Sequence, residues 1–168
     1  EREVQVSQFG GSTYTLALPL RPKPDPKALQ QELDEWLARQ QEAEARGDSI
    51  AARDSGARAE RARRWLSRVH TLPEGETYAY HYSAFRLGDA VWATCGGEPY
   101  NILQVELRRR FPDKAILLSP VSGDQPVAYL LPEDRYGPGL YQEEPSILAP
   151  GCLEKVIQAM AERIESLF

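Results

Sequence analysis

Three features of the sequence predict an α/β fold. A strictly alternating stretch, Thr77 to Phe85, passes through Gly88-Asp89 into an apolar stretch, Ala90 to Thr94, and the two read as an antiparallel hairpin. A nearly all-apolar run, Lys114 to Ser119, follows an amphipathic helix at Pro99 to Phe111 and reads as a strand buried on both faces and paired in parallel. A final amphipathic helix, about Gly151 to Leu167, carries its stripe on Leu153, Val156, Ile157, Met160 and Ile164. The expected architecture is a mixed β-sheet of about five strands flanked by helices, with an N-terminal antiparallel helical hairpin.

The elements follow in chain order. Val4 to Leu18 alternate weakly around Gly10-Gly11, which reads as a turn between two strands. Pro19 to Pro26 holds four prolines and continues neither sheet nor helix, so residues 1–24 read as strands plus a Pro-rich connector. Residues 25–72 read as the helical hairpin. Asp25 caps a first helix from about Pro26 to Arg46, with Leu29, Leu33, Trp36 and Leu37 as its apolar stripe. Gly47 ends it, and Asp48 or Ser49 caps a second helix from about Ile50 to His70. The buried face of the second helix is Ala59, Ala62, Trp65, Leu66 and Val69, and the two tryptophans read as anchors to the rest of the fold or to a partner. Residues 73–168 read as the α/β core, which also holds a strand at Val127 to Leu131 and a helical turn from Pro132 to Tyr136.

Composition bounds the function. With 168 residues, 42% of them hydrophobic, residues 1–168 form a single domain or domain fragment able to bury a core. A net charge of -5 argues against nucleic acid as a partner. Arg58, Arg61, Arg63, Arg64 and Arg68 stud the second helix, but their mixture with acidic residues reads as a solvated face paired with the acidic first helix. No apolar run is long enough for a transmembrane segment. The chain opens on Glu1 rather than Met, the pattern of a piece whose upstream sequence has been removed. Cys95 and Cys152 lack metal-ligand spacing and read as isolated buried thiols, with a disulfide left open for an exported protein. His70 and His81 do not form a dedicated histidine metal site.

Two residues stand out chemically. Glu98 follows Gly96-Gly97 at a strand-to-helix switch, where open sheets place ligands. A helix dipole also favours a carboxylate there, and Pro99 suits the first helical position. Tyr129 follows the run Ser122 to Pro126, and its phenol suits a metal or a developing oxyanion as well as an ordinary core. Tyr78, Tyr80 and Tyr82 share a strand face that either binds a sugar or lipid or packs under helices. Ser119 and Ser122 lack a GxSxG-type elbow, so a serine triad finds no support.

Taken together, the run from Arg86-Leu87-Gly88-Asp89 to Gly96-Gly97-Glu98-Pro99-Tyr100 and the run from Val127 to Tyr141 resemble a known family. They are similar to the C-terminal part of the catalytic domain of neutral/alkaline (non-lysosomal) ceramidases, as found in bacterial ceramidase-like proteins. The likeness covers about Glu76 to Phe168, while the Leu16 to Pro22 connector and the hairpin resemble an insertion in some bacterial relatives. The resemblance implies a zinc amidohydrolase of lipid metabolism that splits the amide of an N-acylsphingosine-like substrate. It implies a zinc held by two histidines, a glutamate matched by Glu98 and a tyrosine matched by Tyr129. The histidines, and the polar groups at the scissile amide, then belong to an N-terminal portion of the same parent protein, and His70 and His81 do not match them. A secreted or periplasmic location also follows from the likeness. Asp124 and Pro126 stand where the family has an Asn and a Tyr, and Leu130-Leu131-Pro132 replace a threonine, which leaves the amide substrate open.

A zinc centre needs about three protein ligands and an open position. Two oxygen donors do not meet that need, so zinc binding and activity are not expected of this chain alone. The competing expectation is a non-catalytic binding or scaffold module whose helical hairpin forms homo-oligomers through Trp36 and Trp65.

Overall fold

The computed structural model describes residues 8–123 and 125–168, so Val4 to Ser7 of the expected first strand, and Asp124, lie outside the described residues. In chain order the elements are β1 (Phe9–Pro19), α1 (Pro26–Ala45), α2 (Ser49–Val69), β2 (Thr77–Leu87), β3 (Ala90–Cys95), β4 (Glu98–Pro99), α3 (Ile102–Arg110), β5 (Ala115–Ser119), β6 (Tyr129–Leu130) and α4 (Cys152–Glu165). They form two compact units. One joins the described residues up to Arg21 with Glu74–Phe168, and the other is Pro22–Pro73.

The first unit is built on a mixed four-stranded sheet of order β1-β2-β3-β5. β1, β2 and β3 are antiparallel neighbours, with β1 register running from Phe9 opposite Leu87 to Pro19 opposite Thr77. β5 adds in parallel to β3, Ala90 opposite Ala115. The expected turn at Gly10-Gly11 is not there: both glycines lie inside the single strand β1. Gly11 has φ +143°, and a Cβ on it would come within 2.6 Å of the Phe85 Cα. Glycine is needed here for the close approach of the neighbouring strand β2 rather than for a reversal. β5 is an edge strand with Leu117 53% exposed, not a strand covered on both faces. Its apolar run includes Leu117, which stays exposed at the edge of the sheet.

Helix α4 covers the other face. Leu153, Val156, Met160 and Ile164 are each 0% exposed. Burying side chains of this size stabilises by about 1.5–3 kcal/mol each, so this stripe is a main source of the unit's stability. The tyrosine stripe takes the packing role. Tyr80 is fully buried and donates its hydroxyl to the Gly96 carbonyl at 2.8 Å, and Tyr82 donates to the Ala159 carbonyl of α4 at 3.3 Å. Helix α3 packs between α4 and β5 through Leu103 and Leu107.

In the second unit, α1 and α2 pack as an antiparallel pair. Asp25 accepts from the Lys27 N–H at 2.9 Å with Pro26 at the first position, and Asp48 accepts from Ala51 at 3.0 Å. Gly47 makes the reversal at φ +76°, a conformation that favours glycine. Leu33, Ala59 and Ala62 form the shared core, with Trp36, Leu37 and Leu66 packed on it. Trp36 is held within the hairpin, its ring covered by the Arg39 and Arg58 guanidinium groups at 4.3 and 4.8 Å. Arg63 and Arg64 pair with Glu60 on their own helix rather than with α1. Such exposed pairs contribute little.

Candidate functional site

Glu98 does not start a helix. It stands on β4, and Pro99 beside it pairs with Leu130 instead of opening α3, whose cap position is Asn101. The capping reading of Glu98 is therefore excluded, because the carboxylate lies several residues before the helix dipole begins. What Glu98 faces is Tyr129: the two are opposite partners in the parallel ladder of β4 and β6.

Local backbone chemistry builds that ladder. Glu98 N–H donates to the Ala128 carbonyl at 2.6 Å and Tyr100 N–H to the Leu130 carbonyl at 3.0 Å. The β3–β4 turn also holds the loop after β5, with Val121 N–H on the Gly97 carbonyl at 3.0 Å and Ser122 N–H on the Cys95 carbonyl at 2.9 Å. Gly97 has φ +66°, and a Cβ there would sit 2.7 Å from the Ala128 carbonyl oxygen. The two segments approach this closely only because Gly97 has no side chain. Ala128 and Val121, neither of them glycine, adopt φ 57° and 60°. Left-handed alanine and valine cost energy that surrounding contacts must offset, and such strain clusters at functional sites.

A buried hydroxyl network fixes Tyr129 from behind. Ser146, 2% exposed, donates to the Tyr129 carbonyl at 2.8 Å, and Tyr136 donates to the Leu148 carbonyl at 3.1 Å. Each hydroxyl has one proton, so the 3.3 Å approach of the two oxygens is a contact made while both protons are already committed to carbonyls. Arg21 clamps the same loop through the Glu143 and Ser146 carbonyls at 2.6 and 3.3 Å and lies 5.7 Å from the Tyr136 ring centre.

Desolvation raises the Tyr129 pKa first, and the charge of Glu98, the neighbouring Tyr141 and hydrogen bonding with Glu98 raise it further. The phenol and carboxylate are therefore close enough to interact electrostatically. Tyr141 joins them, its ring edge-on to Tyr129 with centres 6.1 Å apart while 71% exposed. Sequence reading placed Tyr141 only at the end of a tyrosine-rich run. An exposed loop tyrosine carries no periodicity, and Ser146 gives no sequence signal at all.

Among the described residues no group of three or more His, Cys, Asp or Glu side chains is arranged to hold a metal ion. His70 is exposed at the end of α2, and His81 is exposed on the sheet face opposite α4. Cys95 and Cys152 are free and buried, and desolvation pushes each thiol up to about 11. The paired carboxylate and phenol fit part of a zinc shell as hard oxygen donors, but fall short of the three protein ligands such a centre requires. No described helix is long and apolar enough to cross a membrane. No family model, no curated protein and no solved structure matches the chain.

Proposed function

We propose that this chain is the C-terminal portion of a ceramidase-like, zinc-dependent amidohydrolase, acting on the amide bond of an N-acylsphingosine-like lipid. In this reading Glu98 and Tyr129 supply two oxygen ligands, and an N-terminal portion of the same parent protein supplies the histidines. The observation that carries the reading is the placement of Glu98 opposite Tyr129 in the β4–β6 ladder. The raised phenol adds to it: a carboxylate beside a phenol opposes phenolate formation, and a divalent cation between them reverses that preference. When bound, zinc supplies Lewis acidity and activates water for attack on the amide carbonyl. The chain's own part is to hold the two donors at fixed separation. Strand register sets that separation, Gly97 permits the close approach, and Ser146 pins the Tyr129 backbone.

Zinc titration of this chain tests the split site. The expected result is weak binding without a stoichiometric end point, and tight one-to-one binding overturns the reading. In a full-length parent that carries the histidines, Glu98→Gln and Tyr129→Phe should each lower hydrolysis of a fluorescent N-acylsphingosine by at least about a hundredfold. Unchanged activity in Glu98→Gln removes that residue from the site.

The scaffold reading has no separate observation behind it. Trp36 is partly buried, packed on the Leu33–Ala59–Ala62 cluster and covered by two arginines.

A further inference from the structure

Tyr141 is an exposed side chain that nevertheless meets Tyr129 edge-on, with ring centres 6.1 Å apart. An exposed ring has little packing to hold it, so the turn that carries it must fix its place. That turn is Leu140 to Glu143, closed by the Glu143 N–H on the Leu140 carbonyl at 3.0 Å, with Tyr141 at its second position. Gly137 and Gly139 before it have φ +101° and +73°, and nothing crowds the space a Cβ would take at either. Close backbone packing does not restrain these two glycines, so the loop depends on side chains for its place.

Those side chains converge on Arg21. The Glu143 carboxylate, 17% exposed, accepts from the Gly139 N–H at 3.1 Å and lies 3.9 Å from the Arg21 guanidinium. One guanidinium nitrogen, Nη1, donates to the Glu143 carbonyl at 2.6 Å and to the Ser146 carbonyl at 3.3 Å. Arg21 therefore holds the loop at two points: the end of the Tyr141 turn, and the serine whose hydroxyl bonds the Tyr129 carbonyl. Its own backbone is fixed. Arg21 N–H donates to the Ile147 carbonyl at 2.8 Å beside the Leu20–Leu148 bridge, and Ala149 N–H donates to the Pro19 carbonyl at 2.9 Å. A charged donor on a fixed stem makes strong, directional bonds, and a lysine ammonium does not reproduce the planar fork.

We propose that Arg21 is a positioning residue of the Glu98–Tyr129 site, holding the loop from Gly137 to Ser146 so that Tyr141 stays against Tyr129 and Ser146 stays on its carbonyl. Arg21 acts through Glu143 and Ser146, at one remove from the carboxylate and the phenol. With the loop held, the Tyr141 ring covers one side of Tyr129. With the loop released, the ring swings out and the Tyr129 backbone loses its brace. The catalytic consequence rests on the amidohydrolase reading, in which well-placed donors act on the chemical step rather than on binding. The loop geometry stands without that reading.

Carbon-13 labelling of the tyrosines in this chain tests it, with Tyr129→Phe and Tyr141→Phe assigning the two rings. The unsubstituted chain should give a nuclear Overhauser contact between them. Arg21→Ala should abolish that contact and let chymotrypsin cut after Tyr141 at least about tenfold faster, as expected when charged hydrogen bonds release one loop. Glu143→Ala breaks the same clamp from the loop side and should do the same, which keeps the test open if Arg21→Ala does not fold. Arg21→Lys keeps the charge and one donor and should fall between. A ring contact and a cleavage rate left unchanged by these variants overturn the proposal. In a full-length parent that carries the histidines, Arg21→Ala should lower kcat for the N-acylsphingosine at least about tenfold with KM little changed. An unchanged kcat in an active parent overturns the positioning role. A parent with no hydrolysis sinks the amidohydrolase reading instead, and the ring contact then decides whether Arg21 holds the loop.

Discussion

Glu98 and Tyr129 stand opposite each other on a two-rung parallel ladder, and the carboxylate adds to desolvation in raising the pKa of the phenol it faces. The ladder is short, yet it is tied at both ends by backbone hydrogen bonds and backed by the buried Ser146 hydroxyl. Two side chains distant in sequence are thereby held as a unit. Their relationship is electrostatic as well as geometric, which makes it measurable.

Glu98→Gln should lower the Tyr129 pKa, because removing the carboxylate removes a charge that opposes phenolate formation. Absorbance of the phenolate during alkaline titration, with Tyr129→Phe to assign the transition, reads the shift. A Tyr129 transition unmoved by Glu98→Gln contradicts the coupling.

Gly97→Ala should destabilise by at least about 2 kcal/mol in urea denaturation, combining a positive φ with a clash on the Ala128 carbonyl. Ala128→Gly is the opposite case. It relieves a left-handed alanine and should be neutral or stabilising by up to about 1 kcal/mol.

Tyr80→Phe deletes the donor to the Gly96 carbonyl and leaves that buried oxygen unpaired, a cost of about 1–3 kcal/mol. Hydrogen exchange should rise in the turn from Gly96 to Glu98, while α4 stays protected.

Ser146→Ala removes the bond to the Tyr129 carbonyl and should cost about 1–2 kcal/mol by chemical denaturation. Ser146→Thr, if accommodated, keeps the donor and should recover part of that loss.

Alkaline pH should weaken the fold through its thiols. Burial pushes Cys95 and Cys152 from 9.0 to about 11, so the folded chain binds these protons more tightly than the unfolded one. Their contribution is complete below the unfolded pKa and is lost as pH rises from about 9 through 11. Denaturation midpoints measured across that window should fall, and less steeply in Cys152→Ala. A flat profile excludes this source.

Much of the fold was legible because it rests on local chemistry. The caps at Asp25 and Asp48, the stop at Gly47 and the stripe from Leu153 to Ile164 act within one or two turns of chain, and periodicity exposes them. The β2–β3 hairpin and the parallel β5 followed from alternation and from the helix between β3 and β5. Glycine was read less well. Gly10-Gly11 looks like a turn in one dimension, but the partner strand that demands Gly11 lies far along the chain at Ala84 and Phe85. The same limit applied to β5, whose apolar outer face cannot be told from a buried one until strand order makes it an edge.

At the site, the residue types at Glu98 and Tyr129 were legible, and their relation was not. Pro99 fits a helix start in any local reading, and only the pairing of Pro99 with Leu130 places Glu98 on a strand facing Tyr129. By itself the sequence determined the helices, their caps and the strands with clear alternation, since these depend on neighbours along the chain. The tertiary structure alone decided which glycines bear on distant backbone, which strand lies at the sheet edge, and that one carboxylate meets one phenol, because those depend on register between segments that the chain order does not bring together.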